Sequence, residues 1–341
     1  MTAAAMKADP EKSPYDLKLE KVCKTIQENR YKTVLLQFPE GLKNQAMKVK
    51  DIVEEKTDAA IYISADLCYG ACDIPLGVHQ VDIDLIVQFG HADIPNVEYP
   101  CKVIFIEACS KLEVMPVVKS STSHLKGKVG IITTIQHIHW LDEVKQYLTE
   151  KGFKALIGKG SDRVLYNGQV LGCDLSSATS ISSEVDCYLF IGSGNFHAIG
   201  VAMATKKPVI IADPYLNEVR ETEEIKDRLL RQRHGAITKA QKAKTIGIIV
   251  GTKPGQIRQR MAFDLQKLAR KHEKKGYVLL MNEIAFINLS AFKIDAYVST
   301  ACPRIAIDDY LKFQAPVLTP QEFKIALGEL DWEDYTFDEI L

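Results

Sequence analysis

The sequence predicts an α/β protein of three similar small domains, each a four-stranded, mainly parallel sheet with flanking helices. Three observations predict it. Strand-length apolar runs alternate with helical patterns along the chain, as in parallel sheets joined by right-handed crossovers. The same order of elements occurs three times. In each copy the third strand opens on an aspartate: Asp84-Leu-Ile-Val, Asp186-Cys-Tyr-Leu and Asp295-Ala-Tyr-Val. A chain of 341 residues has room for two or three domains with buried cores. Three short copies favour three small units over one long sheet.

In the first copy a helix is expected from Tyr15 to Asn29, then a strand at Thr33–Phe38 (TVLLQF). The turn PEGL follows, with a helix from Lys43 to Lys56 and a strand at Ala59–Ser64. The segment ADLCYGACD leads to a helix-like stretch, Ile74–Val81, and to strands at Asp84–Phe89 and Lys102–Ile106. In the second copy Lys128–Thr133 is a strand and Thr134–Lys151 an amphipathic helix, with Ile138, Leu141, Val144, Tyr147 and Leu148 at helical spacing. Strands at Phe153–Ile157, Asp186–Ile191 and Lys207–Ala212 complete it. The third copy has strands at Thr245–Val250, Gly276–Met281, Asp295–Ser299 and Ala315–Thr319, and a helix at Gln256–Lys275. Boundaries are expected in SSTSHLKG (120–127) and in the charged helix Glu218–Lys244. The domains are then 15–120, 121–235 and 236–341, after a disordered lead-in over 1–14.

The bulk composition excludes several classes. With 43 basic and 44 acidic residues the net charge is −1, which gives no basic surface for nucleic acid or membrane. The longest apolar runs are strand-length, so no transmembrane helix is expected. The N-terminus lacks the apolar core of a signal peptide, and Met6 is an alternative start. A cytoplasmic location follows as an expectation. In that reducing compartment the eight cysteines are free thiols or metal ligands rather than disulfides.

Cys72, Cys173 and Cys302 stand out among them. They lie in LCYGACD, GQVLGCD and STACPRI, each in a loop beside Gly or Pro beyond a predicted strand. Ligands of open α/β sheets bind beyond the carboxyl ends of strands. Three domains facing inward with those ends would meet around a central cluster held by the three thiols. A cluster on three thiolates leaves one iron open to substrate. The competing reading is that each is a small buried hydrophobe, which fits Cys23, Cys101, Cys109 and Cys187 better. Cys68, four residues before Cys72, leaves open a local metal pair, although no second pair or nearby His at zinc spacing accompanies it.

Other strand-end residues suggest substrate contacts. GSGNFH (192–197), with Gly192 and Gly194, is either an anion cradle of backbone N–H groups or a tight strand-to-helix turn. Gln37 and PEGL, with Pro39, Glu40 and Gly41, divide in the same way. His91, His137, His139 and His197 follow strand ends, where a pKa near neutrality suits proton transfer; the alternative for each is a structural role. Asp213 either faces the same cavity or caps the next helix.

LLQFPEGL, YGACD, QFGHAD, TTIQHIH, GQVLGCD, FIGSGNFH, ADPY, STACPRI and the terminal YTFDEIL together resemble the archaeal diphthamide synthase of the first step, 2-(3-amino-3-carboxypropyl)histidine synthase. The resemblance runs from about Tyr15 to Leu341. It implies a homodimer in which three α/β domains each give one cysteine, here Cys72, Cys173 and Cys302, to a 4Fe–4S cluster. It implies that S-adenosylmethionine is the substrate, bound at the open iron. One electron then breaks the sulfur–Cγ bond, releasing methylthioadenosine. The 3-amino-3-carboxypropyl fragment goes to imidazole C2 of a histidine in elongation factor 2. No ferredoxin or flavin motif is present, so an external electron donor is expected. Two rival readings stay open. The chain also resembles quinolinate synthase, where the open iron is a Lewis acid, although the motif strings match the diphthamide family better. A non-catalytic partner subunit is the other, against which the complete cysteine trio argues.

Overall fold

A computed structural model describes residues 13–99 and 101–340. The expected lead-in therefore lies outside the described residues up to position 12. Two-residue strand β1 (Tyr15–Asp16) comes first, then a helix, Leu19–Asn29. The first sheet contains β2 (Thr33–Gln37), β3 (Ala60–Ile63), β4 (Leu85–Phe89) and β5 (Lys102–Ile106). Its order is β3-β2-β4-β5, and every pair is parallel. Strand β6 (Cys109–Ser110) pairs antiparallel with β1, so the first two residues of the expected N-terminal helix are extended.

The second sheet contains β7 (Lys128–Thr133), β8 (Lys154–Leu156), β9 (Cys187–Ile191), β10 (Val209–Asp213) and β11 (Glu218–Glu221). Its order is β11-β10-β9-β7-β8. The fifth strand, β11, is antiparallel to β10 and takes the start of the stretch expected as the charged helix. Asn217, in the left-handed region at φ 51°, turns the chain back beside β10. The helix follows at Glu223–Gln241 and runs through positions 235 and 236, the expected boundary. The third sheet contains β12 (Thr245–Gly251), β13 (Lys275–Met281), β14 (Ala296–Ser299) and β15 (Val317–Leu318), in the order β13-β12-β14-β15.

Read from the first strand of each copy, the parallel strands share one order: second, first, third, fourth. The central strands are buried on both faces, as in β4, β9 and β10, which is why they read as continuous apolar runs. The repeated aspartates have one job. Asp84 accepts backbone N–H bonds from Lys32 and Thr33 at 2.7 and 2.9 Å. Asp186 accepts one from Lys128 at 2.7 Å, and Asp295 accepts from Lys244 and Thr245 at 2.9 and 2.8 Å. Each carboxylate ties the entry of the third strand to the entry of the first, which fixes register.

The first sheet has its own core, with Val34, Leu36, Val49 and Leu85. The second and third share one: Ile211 and Val201 join Ile248, Val298 and Phe323 in a single buried cluster. Helix Glu223–Gln241 crosses between them. Its Arg233 is fully buried and bonds both Glu322 oxygens and the carbonyls of Ala306 and Val317.

Candidate metal centre

The switch in strand order places a crevice beyond the carboxyl ends of the first and third strands of each sheet. Cys72 follows β3 and Cys173 follows β8, whereas Cys302 follows β14, so the three positions are not equivalent within the repeat. They nevertheless converge. Cys173 feels the charge of Cys72, and Cys302 feels both of the others. Burial raises all three thiols, Cys173 to about 11. Among the described residues no group of three or more His, Cys, Asp or Glu side chains is set to hold a single metal ion.

The Cys72 loop is pinned from below. Gln37 donates to the Asp73 carbonyl at 2.6 Å, and Gln88 donates to Gln37 Oε1 and to the Gly70 carbonyl. Gln37 therefore supports the loop from beneath. Asp73 also pairs with Lys253 at 2.8 Å, which binds Glu283 and lies over the Tyr69 ring. The two cysteines of CYGAC separate here: Cys68 Sγ lies 4.0 Å from His91 Nδ1, and burial pushes its thiol up to about 12.

The loop after β12 carries the residues that the sequence reading missed. Gln256 N donates to the Lys253 carbonyl at 3.0 Å, and Gly255 has φ 72°. Pro254 and Gly255 at the two central positions are what a type II turn requires. This turn delays the expected helix from Gln256 to Gln259. It aims Gln256 at the cysteines: Nε2 donates to Cys72 Sγ at 3.0 Å, and Oε1 accepts from Cys302 N at 3.3 Å. A Cβ on Gly255 would lie 2.8 Å from Val97 and 3.4 Å from Arg163, so segments from all three copies touch there. Arg163 donates to the Gly255 carbonyl at 3.2 Å and approaches Cys173 Sγ at 4.0 Å. Arg258 bonds the carbonyls of Thr300 and Ala301 and pairs with Asp338 at 2.6 Å. The signal that could have found this loop is its place, since TKPGQIR follows the first strand of its copy as PEGL does.

The expected substrate-contact residues fall into three groups. His91 lies beside the Cys72 loop, and burial lowers it to about 4. His197, also lowered to about 4 by burial, lines a cavity of about 500 Å³ with Gly194, Asn195, Phe196, Arg304 and Arg228. The Arg304 guanidinium lies 4.8 Å from the Phe196 ring centroid. Gly194 has φ 76° with open space where a Cβ would stand, whereas a Cβ on Gly192 would press on Phe190.

The second group, Pro39, Glu40 and Gly41, sits at the first strand end. Pro39 packs against Gly90, next to His91, Glu40 pairs with Lys43, and Gly41 is exposed. The third group has partners elsewhere. His137 is buried, edge-on to Tyr215, and burial lowers it to about 4. His139 is exposed. Asp213 accepts from the backbone of Tyr215 and Leu216 and pairs with Arg220, so it caps its own turn.

Residues 38–336 match the family model for diphthamide synthesis proteins. The chain belongs to the diphthamide synthesis family. It is 36% identical over 333 residues to the 2-(3-amino-3-carboxypropyl)histidine synthase of Pyrococcus horikoshii, covering 96% of this chain and 94% of that protein. It is 31% identical to subunit 1 of the Schizosaccharomyces pombe synthase, covering 94% of this chain and 75% of that protein. The crystal structure of Dph2 from Pyrococcus horikoshii with a 4Fe-4S cluster superposes with a TM-score of 0.87 at 35% identity, covering 96% of this chain and 94% of that one. Among the described residues no helix is long and apolar enough to cross a membrane.

Proposed function

We propose that this member of the family is a 2-(3-amino-3-carboxypropyl)histidine synthase. It transfers the 3-amino-3-carboxypropyl group of S-adenosylmethionine to imidazole C2 of a histidine in elongation factor 2, the first step of diphthamide biosynthesis. The observation that carries the reading is the convergence of the half-buried Cys72, Cys173 and Cys302 from three sheets, with Gln256 bridging two of their loops. Three soft sulfur donors fit a 4Fe–4S cluster. When bound, that cluster supplies one electron and an open iron. A buried thiol gives up its proton to bind metal, so assembly relieves the desolvation that raises all three thiols.

The chain's own residues bind and orient. Arg304 lines the cavity with two of its nitrogens on Asp308 at 2.8 Å, and its remaining nitrogen is offered to the methionine carboxylate, while the open backbone at Gly194 allows close approach. His91 and His197 are neutral near pH 7, because burial lowers both. They suit hydrogen bonding to the acceptor imidazole, or receipt of its proton, better than binding an anion. The electron comes from an external donor, the working unit is a homodimer, and the place is the cytoplasm.

The experiment is anaerobic incubation with labelled S-adenosylmethionine and dithionite, with and without elongation factor 2. Methylthioadenosine in both tubes and label on the factor in one is the expected result. No methylthioadenosine would contradict the reading and favour Lewis-acid chemistry at the iron.

A further inference from the structure

The side chain of Gln256 meets two of the three cysteines at once. Its amide orientation is fixed by chemistry: the N–H of Cys302 can be met only by oxygen, so the NH2 group must face Cys72 Sγ. The residue is 8% exposed. The turn that carries it is packed between Val97 and Arg163, which keeps the side chain from swinging away. Arg163 stands farther off, at 4.0 Å from Cys173 Sγ. An N–H donor aimed at a ligating sulfur stabilises the more negative, reduced state of an iron–sulfur group over the oxidised one.

We propose that Gln256 is a positioning residue that raises the reduction potential of the iron–sulfur group on the trio, through its hydrogen bond to Cys72. This rests on the iron–sulfur reading above. Gln256 also braces the Cys72 loop against the Cys302 loop, and the two roles are separable by substitution. Gln256→Leu removes both hydrogen bonds. Gln256→Glu keeps an acceptor for the Cys302 N–H but loses the donor to sulfur and adds a carboxylate that lowers the potential by its charge, so the neutral Gln256→Leu is the variant that isolates the hydrogen bond.

The test is anaerobic reconstitution of the full chain and both variants. Iron and acid-labile sulfide are assayed first. The midpoint potential is then read by electron paramagnetic resonance during titration with dithionite. Gln256→Glu is expected to load like the parent and to show a lower midpoint potential. Gln256→Leu is expected to shift the same way in whatever fraction loads. Full loading with an unchanged potential in either variant overturns the proposal. Loss of loading in both leaves Gln256 as a brace alone and overturns it too. A parent chain that takes up no iron and sulfide contradicts the iron–sulfur reading before any substitution is made, and the proposal falls with it.

Discussion

The backbone N–H of Ile340 donates to the carbonyl of Cys173 at 2.8 Å. The tail thus reaches back to a cysteine loop nearly half the chain away. Just before this bond, Glu339 accepts from Leu175 N at 2.6 Å and Asp338 pairs with Arg258, which holds the Cys302 loop. Residues 338–340 are therefore a strap between two of the three cysteine loops. Removing residues 337–341 should lower iron content and thermal stability together. Asp338→Ala alone should cost about 3 kcal/mol, because it leaves the poorly exposed Arg258 guanidinium unpaired. Urea unfolding read beside iron content checks both.

The Arg233–Glu322 pair makes a second prediction. Both side chains are fully buried, and Tyr335 adds a hydroxyl bond to Glu322 at 2.8 Å. Arg233→Met should destabilise the shared core by about 3–5 kcal/mol, since the buried Glu322 carboxylate would lose its countercharge. The double variant Arg233→Met/Glu322→Leu should be less destabilised than that single one, even after losing the capping box at Thr319. Urea midpoints for the two proteins decide it.

The strand-entry aspartates predict a pH dependence. Backbone N–H groups hold Asp84 and Asp295 below the ordinary carboxylate value of 3.8. A depressed folded pKa gives stability that is fully present above the unfolded value and lost as pH falls through the folded one. The melting temperature of the parent should exceed that of Asp84→Asn/Asp295→Asn near pH 6, and the gap should close below about pH 4. A gap that persists unchanged in acid would show that the bonds do not depend on the charge.

Cavity residue His197 predicts uncoupling. Its ring lies between Phe190 and Phe196, with centroids 6.1 and 5.6 Å away. His197→Ala should leave methylthioadenosine formation within about threefold of the parent and reduce labelled elongation factor by about tenfold or more, in the range of lost acid–base assistance. Both products are counted from one tube. A ratio unchanged from the parent would make His197 a structural ring.

Much of the fold is legible in the chain because β4, β9, β10 and β12 are buried on both faces and read as apolar runs. The cysteine loops are legible because Gly and Pro mark strand ends. β11 is hidden because EVRE is a short, charged edge strand whose existence depends on β10 beside it. Gln256 and Arg258 are hidden for a different reason. Their partners, Cys72 and Asp338, lie 184 and 80 residues away, so no local pattern carries the relationship. The aspartate repeat is visible in sequence, but its job appears only when the third strand lies beside the first.

Cys72, Cys173 and Cys302 are expected to hold one iron–sulfur cluster together. The most direct measurement is iron and acid-labile sulfide per chain after anaerobic reconstitution, in Cys72→Ala, Cys173→Ala, Cys302→Ala and Cys68→Ala. Each of the first three should lose most of the cluster, and Cys68→Ala should keep it, because the Cys68 thiol faces His91. A chain that keeps its cluster without Cys72 and loses it without Cys68 would contradict the account.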